Sequence, residues 1–569
     1  MEKQWKYQTS PDPDILEELS QSLNINPPLT SILLQRRITS FDQAKTFFRP
    51  KLEQLHDPFL MKDMDKAVNR LSEAISGNEK ILVYGDYDVD GTTSVSVMYS
   101  FLQQLTNQVT YYIPDRYTEG YGLSKQGVEF AAAQDFSLLI TLDCGIKAFE
   151  NAAYAKELGL DLIICDHHLP GDELPVATAV LDPKRNDCDY PYKELSGCGV
   201  GFKLIHGFCL QNTIDLNLIY QYLDLVCVSI ASDIVPITGE NRVLAFYGLQ
   251  KLNSSPSPGL KALKKVAGLS SNISISDVVF YLGPRINAAG RLRHARESVK
   301  LLICEDQSEL EAFAENLDSV NIDRRTFDSQ TTDEALEMIS NSEKLLSAKS
   351  TVVFKEDWHK GVIGIVASRL TENYYRPTIV LTQSNGKATG SARSVEGFDI
   401  YGAICECHEL LEQYGGHTHA AGLTMQTDNV PAFINKFEEV VAKTITEDQL
   451  KPTLHIDLEV DFSFANFKTL SIINQMAPFG PHNMQPVFSS SQVYVKGVPR
   501  LLKEKHLKLK VYQKEFNQTF DAIGFGLGPS MDWLDPDKPI QIAYTIDINE
   551  YRGNKTLQLV LKDIKQHAT

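Results

Sequence analysis

The chain has 569 residues, 43% of them apolar, and 55 basic against 73 acidic side chains give a formal net charge of −18. The length is too great for one hydrophobic core and predicts about three or four domains. The composition is that of a soluble globular protein, no run approaches the ~18 apolar residues of a membrane helix, and the acidic balance excludes coating of nucleic acid through overall charge, though not a local basic groove.

MEKQWKYQTSPDPD, residues 1–14, has no apolar core or small-residue cleavage site, so no secretory signal is visible. Residues 1–50 read as helical, with PDPD and NPPL as breakers. From about residue 80, short continuous apolar strands alternate with helices: ILVY (81–84), VTYYIP (109–114), SLLIT (137–141), DLIIC (161–165) and ATAVLDP (177–183). That alternation predicts an α/β fold with a doubly wound parallel sheet. NSSPSPG (253–259) reads as a surface loop, and residues 305–345, rich in Glu, Asp and Leu, as a connecting helix. A second, smaller α/β segment starts at STVVF (350–354), and ITEDQLKP (445–452) reads as a linker. Beyond it, alternating short strands predict a small β-barrel or sandwich. Nine cysteines lack paired spacing and read as reduced thiols of a cytosolic protein. CECH (405–408) lacks a second ligand pair, so a packed or capping role is expected there rather than zinc.

VYGDYDVDGTTS (83–94) places Asp86, Asp88 and Asp90 on alternate positions directly after a strand. Like carboxylates repel unless something cationic lies between them, so the stretch is either a solvated turn or a metal site. Asp143 follows the next buried strand, and Asp166, His167 and His168 follow DLIIC. Asp233, in CVSIASDIVPITGENR, follows another apolar stretch and is read as a fourth strand end. In an open parallel sheet, ligands bind beyond the carboxyl ends of the strands, so these groups are expected to converge. Carboxylates with imidazole form a hard N/O set that suits Mn²⁺ or Mg²⁺ better than zinc. The acids suffice for two ions with a bridging carboxylate, an arrangement that serves phosphate-ester hydrolysis. Taken singly, an Asp after a strand is usually a helix cap, which is how Asp182 in LDP and Asp115 in IPDR are read. Four such strand ends together rarely arise from capping alone.

The motifs GDYDVDGTTS, TLDCG, CDHHLPGDELP, SIASDIVPITGENR and LGPRINAAGRL resemble the DHH phosphoesterase superfamily and, within it, the RecJ family of single-strand exonucleases. WHKGVIGIVASRL, TGSARS and YGGHTHAAGL look like the associated DHHA1 domain, and MAPFGPHNMQPVF resembles the start of the family's OB-fold segment. The resemblance runs from about residue 50 to the end. After the N-terminal helical segment (1–50), it implies a DHH catalytic domain (51–255) and a helical connector carrying GPRINAAGRL (256–345). A DHHA1 domain (346–447) and a nucleic-acid-binding OB-fold (452–569) complete the expected organisation.

By the same resemblance, Asp88, Asp90, Asp143, His167 and Asp233 would hold two ions, Mn²⁺ or Mg²⁺, with Asp143 as the bridge. Asp86 would either support them or be an additional ligand. His168 would face the scissile phosphate, because neighbouring side chains on an extended segment point opposite ways. Asp166 would orient a histidine through its ring N–H. Many members carry His where Tyr84 stands. Substrate contacts are implied for Arg285, Asn287 and Arg291, for Arg369, Ser391, Arg393 and His417, and for Arg116 and Tyr121. Arginine offers a fork to phosphate oxygens, although each of these taken alone would be a surface ion pair. The tyrosines of PDRYTEGYGLS would either stack on bases or pack as core. In RLLKEKHLKLKVYQKEF (500–516), Lys508 and Lys510 alternate with Leu507, Leu509 and Val511. That makes either a nucleic-acid-binding strand or a lysine-guarded edge. PFGPHNMQPVF departs from the family's usual Gly-Asn-Pro turn.

The expectation that follows is a cytoplasmic, monomeric exonuclease with no membrane association. It would degrade single-stranded DNA from the 5′ end to 5′-mononucleotides in recombination and repair, with a single-strand-binding protein and a helicase as partners. Two other readings fit parts of the chain. A DHH phosphodiesterase for short oligonucleotides or cyclic dinucleotides would not need the insertion after Asp233 or the β-rich C-terminal region. A non-catalytic replication scaffold would have lost ligands that are present here.

Overall fold

A computed structural model of the chain describes residues 2–269 and 272–566; the outermost residues of the expected helical segment and barrel, and Ser270 and Ser271 of the expected connector, lie outside it. Two compact units are present. The first comprises Arg49–Arg324 with Ala477–Met484, and the second comprises residues up to Phe48, Arg325–Met476 and the chain from Gln485 onward. Among the described residues, no helix is long and apolar enough to cross a membrane.

Strand β1 (Gln4–Tyr7) belongs to the second unit and pairs in parallel with residues 453–456. The first unit is built on β2 (Ile81–Gly85), β3 (Val109–Tyr112), β4 (Leu138–Leu142), β5 (Asp161–Cys165) and β6 (Ala179–Leu181), all parallel in the order β3-β2-β4-β5-β6. β2 and β4 are buried at every residue, which is why they read as continuous apolar runs. Ile81, Val83, Leu138 and Ile140 face one layer with the helices Met64–Ser76, Val89–Gln103 and Gly197–Gln211. Leu82, Tyr84, Leu139 and Ile164 face the other, with Lys125–Ala133 and Phe149–Glu157. The chain leaves β2 for β3 on one side and returns to β4 on the other, so the switch in strand order falls between β2 and β4. The doubly wound expectation therefore holds.

The element before Asp233 differs from the sequence expectation. Asp233 follows a helix, Leu223–Ser232, and not a strand. That helix is buried on all sides, so it shows no amphipathic period, and a short unbroken apolar run does not distinguish strand from helix.

The expected connector is helical: Pro258–Val266, a π-helical turn at Val278–Leu282, Gly283–Leu292, Arg296–Ile303 and Gln307–Ser340. The second unit contains β7 (Thr351–Phe354), β8 (Thr378–Ser384), β9 (Lys387–Arg393), β10 (Gln413–His417) and β11 (Ala420–Met425), in the order β10-β11-β9-β8-β7. Only β7 and β8 are parallel there. After β12 (Thr453–Ile456), the partner of β1, and β13 (Leu458–Glu459) comes a helix, Phe467–Gln475, inside a stretch read as all strand. Ala477–Met484 then returns to the first unit. The Ile237 amide donates to Pro481 O at 2.8 Å, and the Arg242 guanidinium to Ala477 O at 3.0 Å.

The C-terminal strands are β14 (Phe488–Leu502), β15 (His506–Gln513), β16 (Thr519–Gly524), β17 (Ile540–Tyr551) and β18 (Asn554–Gln566). They run β14-β15-β16-β18-β17, and β17 pairs back onto β14, so the sheet closes as a five-stranded barrel of OB type.

Candidate metal centre

The carboxyl end of the parallel sheet presents its acids on short, constrained backbone. Asp86 follows β2 directly and is buried. Asp88 caps the Val89–Gln103 helix, its Oδ1 accepting the Gly91 amide at 3.0 Å, and Asp90 lies in the first turn. A Cβ at Gly91 would sit 2.3 Å from Asp86 O, so glycine alone lets the helix begin this close to the loop. Asp143 follows β4 with φ +60°, and Asp166, His167 and His168 follow β5. Asp233 ends the Leu223–Ser232 helix, and Ile234 after it has φ +59°, a left-handed conformation that costs a β-branched residue energy.

These side chains converge. Ligand-type atoms of Asp90, His167 and Asp233 lie within 4.8 Å of one another, as do those of Asp86, Asp88 and Asp143, and those of Asp143, His167 and His168. His167 Nε2 stands 3.1 Å from Asp143 Oδ1, 3.6 Å from Asp233 Oδ2 and 3.8 Å from Asp90 Oδ2. Asp143 thus joins the Asp86–Asp88 group to the His167 group. Among the described residues, Asp86 Oδ1, Asp143 Oδ1 and both ring nitrogens of His167 are buried without a hydrogen-bond partner. Burial, and then the neighbouring aspartates, push the Asp86, Asp143 and Asp233 carboxyls well above the usual range. Buried acids crowded together with unpartnered oxygens are a cation's environment, and the donor set is the hard N/O type that suits Mn²⁺ or Mg²⁺. The residues present therefore fit a pair of divalent ions.

Asp90 is held by groups that sequence reasoning missed. Its Oδ2 accepts the Gly197 amide at 2.7 Å, and its Oδ1 accepts the Cys198 amide at 2.8 Å and the Ser229 hydroxyl at 2.7 Å. The two amides open the Gly197–Gln211 helix, whose N-terminus favours an anion. A Cβ at Gly197 would lie 2.6 Å from Asp143 Oδ1. The signal was present in SGCG, a serine cap followed by residues small enough to approach a carboxylate.

The second histidine is oriented. Asp166 Oδ1 accepts from His168 Nδ1 at 2.7 Å and from the His167 amide at 2.7 Å, and its Oδ2 accepts the Ile146 amide at 2.9 Å. Burial works against the Asp166 charge, but the hydrogen bond and charge of His168 bring that carboxyl down to about 2. Burial likewise opposes the His168 charge, and Asp166 overcomes it, raising the imidazole to about 9. Asp166 therefore orients His168, a choice the sequence left open. The His168 side chain is 44% exposed, and the Tyr121 hydroxyl lies 3.2 Å from its Nε2. Arg116 lies over the Tyr87 ring, 4.9 Å from the centroid. Tyr84 is fully buried, and its hydroxyl donates to Gly122 O at 2.8 Å and accepts the Ser124 amide at 3.0 Å.

The remaining predicted residues divide between the units. In the first, the Gly283–Leu292 helix packs on the aspartate loop: a Cβ at Gly290 would lie 2.4 Å from Tyr87 O. Arg285 is ion-paired with Asp318 at 2.8 Å, Asn287 keeps a buried Oδ1 without a partner, and Arg291 O accepts the Tyr117 hydroxyl. In the second unit, Arg369 pairs with Asp328 at 2.7 Å. Arg393 Nη1 donates to Ser391 Oγ at 3.0 Å, and a Cβ at Gly364 would crowd both side chains. His417 is exposed on β10. On β15, Leu507, Leu509 and Val511 are buried, while Lys508 and Lys510 alternate on the other face. Asp182 and Asp115 are turn caps, accepting the amides of Lys184 and of Tyr117 and Thr118. Cys405 and Cys407 carry free thiols, and no metal-type cluster forms there among the described residues.

Three family models match the chain: the DHH family N-terminal domain over residues 80–230, the DHHA1 domain over 347–443, and the RecJ OB domain over 456–563. The single-stranded-DNA-specific exonuclease RecJ of Bacillus subtilis (strain 168) is 39% identical over 563 residues, which cover 98% of this chain and 70% of that protein. The crystal structure of RecJ from Thermus thermophilus in complex with Mn²⁺ matches with a TM-score of 0.85 at 26% identity, covering 99% of this chain and 80% of that one. The same protein in complex with Mg²⁺ matches with a TM-score of 0.80 at 25% identity, covering 99% and 79%.

Proposed function

The chain belongs to the RecJ family of single-stranded-DNA-specific exonucleases, and on that footing we propose that it degrades single-stranded DNA from the 5′ end by metal-dependent phosphodiester hydrolysis. The observation that carries the reading is the buried cluster in which Asp143 joins two groups of ligands and four polar atoms lack partners.

In this reading Asp88, Asp90, Asp143, His167 and Asp233 would hold two ions, Mn²⁺ or Mg²⁺, with Asp143 shared between the two groups of ligands and Asp86 as an additional carboxylate beside Asp88. Divalent ions, when bound, lower the pKa of water and offset the negative charge that builds on the phosphate. Asp90 enters the site already fixed by two helix amides and Ser229, so its geometry does not have to be organised during the reaction. His168, held charged and aimed by Asp166, faces solvent and donates from Nε2 to a phosphate oxygen, with the Tyr121 hydroxyl beside it. Arg116, Asn287 and Arg291 on the first unit, and Arg369, Ser391, Arg393 and His417 on the second, contact the strand. Arg285 reaches it on leaving Asp318. Attack by water breaks the P–O3′ bond, releases the terminal mononucleotide and leaves a 5′-phosphate on the shortened strand.

The domain roles follow. Residues 51–255 carry the chemistry, 256–345 connect, 346–447 grip the strand, and the barrel from 452 holds it through Lys508 and Lys510. The reading includes a monomer acting in the cytoplasm in recombination and repair. Its partners are a single-strand-binding protein and a helicase, because the enzyme needs unpaired ends.

One experiment tests this. A single-stranded oligonucleotide labelled at either end is incubated with Mn²⁺, with Mg²⁺ and with chelator, beside Asp143→Ala. Immediate mononucleotide release from the 5′ label, dependent on metal and on Asp143, is expected. Binding without cleavage under every ion overturns the reading, and cleavage confined to two- to five-nucleotide substrates replaces it with a small-substrate phosphodiesterase.

A further inference from the structure

Tyr121 sits at the tip of a segment, residues 113–124, with no regular strand or helix. It is flanked by Gly120 and Gly122, both at φ +85°, and a Cβ on either would meet nothing within 4 Å. Two unhindered glycines around one residue give that tip wide conformational freedom. Even so, the Tyr121 hydroxyl reaches His168 and its ring packs edge-on against both Tyr87 and His168. Something must hold the segment.

Two groups do. From within the loop, Glu119 accepts the Ser124 hydroxyl at 2.6 Å, the Tyr112 hydroxyl at 3.0 Å and the Asp115 amide at 2.8 Å. From the sheet, Tyr84 sends its hydroxyl out of β2 to Gly122 O and the Ser124 amide, one on each side of Leu123 and immediately after Tyr121. The Tyr84 ring is stacked on Tyr112, with centroids 5.4 Å apart and planes 11° apart, and Gly127 makes room for it. Ring packing fixes where the hydroxyl points. Asp86, two residues on from Tyr84, directly follows the end of the same strand, so one rigid element leads directly to an acid of the metal centre and also holds the segment facing it.

We propose that Tyr84 is a positioning residue for the substrate: its hydroxyl latches the 113–124 segment beside Tyr121 and thereby places Tyr121 against His168. The inference rests on the reading that His168 faces the strand. Phenylalanine at position 84 keeps the stacking and removes only the latch.

The test combines kinetics with amide exchange on the full-length chain. In Tyr84→Phe, kcat/KM on a single-stranded oligonucleotide with Mn²⁺ falls about fivefold, the scale of one lost buried hydrogen bond. In a Tyr121→Phe background the same change costs less than about twofold further, because both act through one contact. Amide exchange accelerates across residues 113–124 and stays unchanged in β2 and β4. Equal losses in both backgrounds, or unaltered exchange in the segment, overturn the latch. If exchange also rises in β2, Glu119→Gln decides: it loosens the segment with Tyr84 intact and must reproduce the coupling to Tyr121, or the proposal fails. Absence of cleavage by the wild-type chain falls on the functional reading alone, since the exchange result still reports whether Tyr84 holds the segment.

Discussion

The aspartate centre and the basic face of the barrel hold charge in opposite ways. In the centre, acids are buried beside one another with oxygens unpartnered. On β15, Lys508 and Lys510 stand on the outward face, each beside a buried Leu or Val, and Lys510 has Asp521 at 3.9 Å. Buried like charge is unfavourable until a counter-charge arrives, so the centre demands its ligand and responds steeply to loss of any member. Exposed charge is already solvated, so the barrel face can add binding only in small, salt-sensitive increments.

The sharpest break of that contrast is at Asp143. Asp143→Asn should lower kcat by about 10³-fold or more, the scale of several kcal/mol of transition-state stabilisation. It should also abolish most of the rise in melting temperature that Mn²⁺ gives the wild type, measured by calorimetry with and without chelator. Unchanged stabilisation by Mn²⁺ would mean that the cluster is not where the ion binds. Ser229→Ala comes next. It removes one of the short hydrogen bonds to Asp90, so activity should fall about tenfold and the Mn²⁺ concentration for half-activity should rise, with the fold intact by circular dichroism.

On the barrel side, Lys508→Gln with Lys510→Gln should weaken strand binding about three- to tenfold at low salt and reduce the slope of log K against log salt by about one to two, with kcat unchanged. A fall in kcat instead would erase the distinction between the two regions.

The smallest effect concerns a buried group away from both. His206 is 6% exposed, and burial first, then the Lys203 charge, lowers it from 6.5 to about 4. The unfolded chain then binds a proton that the folded chain refuses. Its contribution to stability is full above about pH 6.5 and is lost as pH falls toward 4, by about 2–3 kcal/mol. Urea unfolding at pH 7.5 and 5 should show that loss, and His206→Gln should flatten it.

What could be read from sequence tracks how local its cause is. The aspartate loop, the β4 and β5 ends and the Lys508–Lys510 alternation are legible because strand burial and a period of two are written in adjacent residues. Asp233 reads as a strand end but follows a helix, since a helix buried all round has no visible period. The donors to Asp90 lie more than a hundred residues from it, and nothing local in GCG or Ser229 names their partner. Tyr84 was noted only as a departure from a common histidine, because the backbone it binds is some forty residues further on.

The return of Ala477–Met484 to the first unit has a consequence for how the protein is made. All the proposed ligands have left the ribosome once Asp233 has emerged, yet the stretch just after Asp233 gains its last covering, Pro481 on Ile237, only when residue 484 is out. At about 5–20 residues per second, that leaves an interval of roughly 12–50 seconds. Through it, the nascent chain carries every acid of the site without its finished support, so a nuclease that could cut nearby single strands would complete that support only after residue 484 is made.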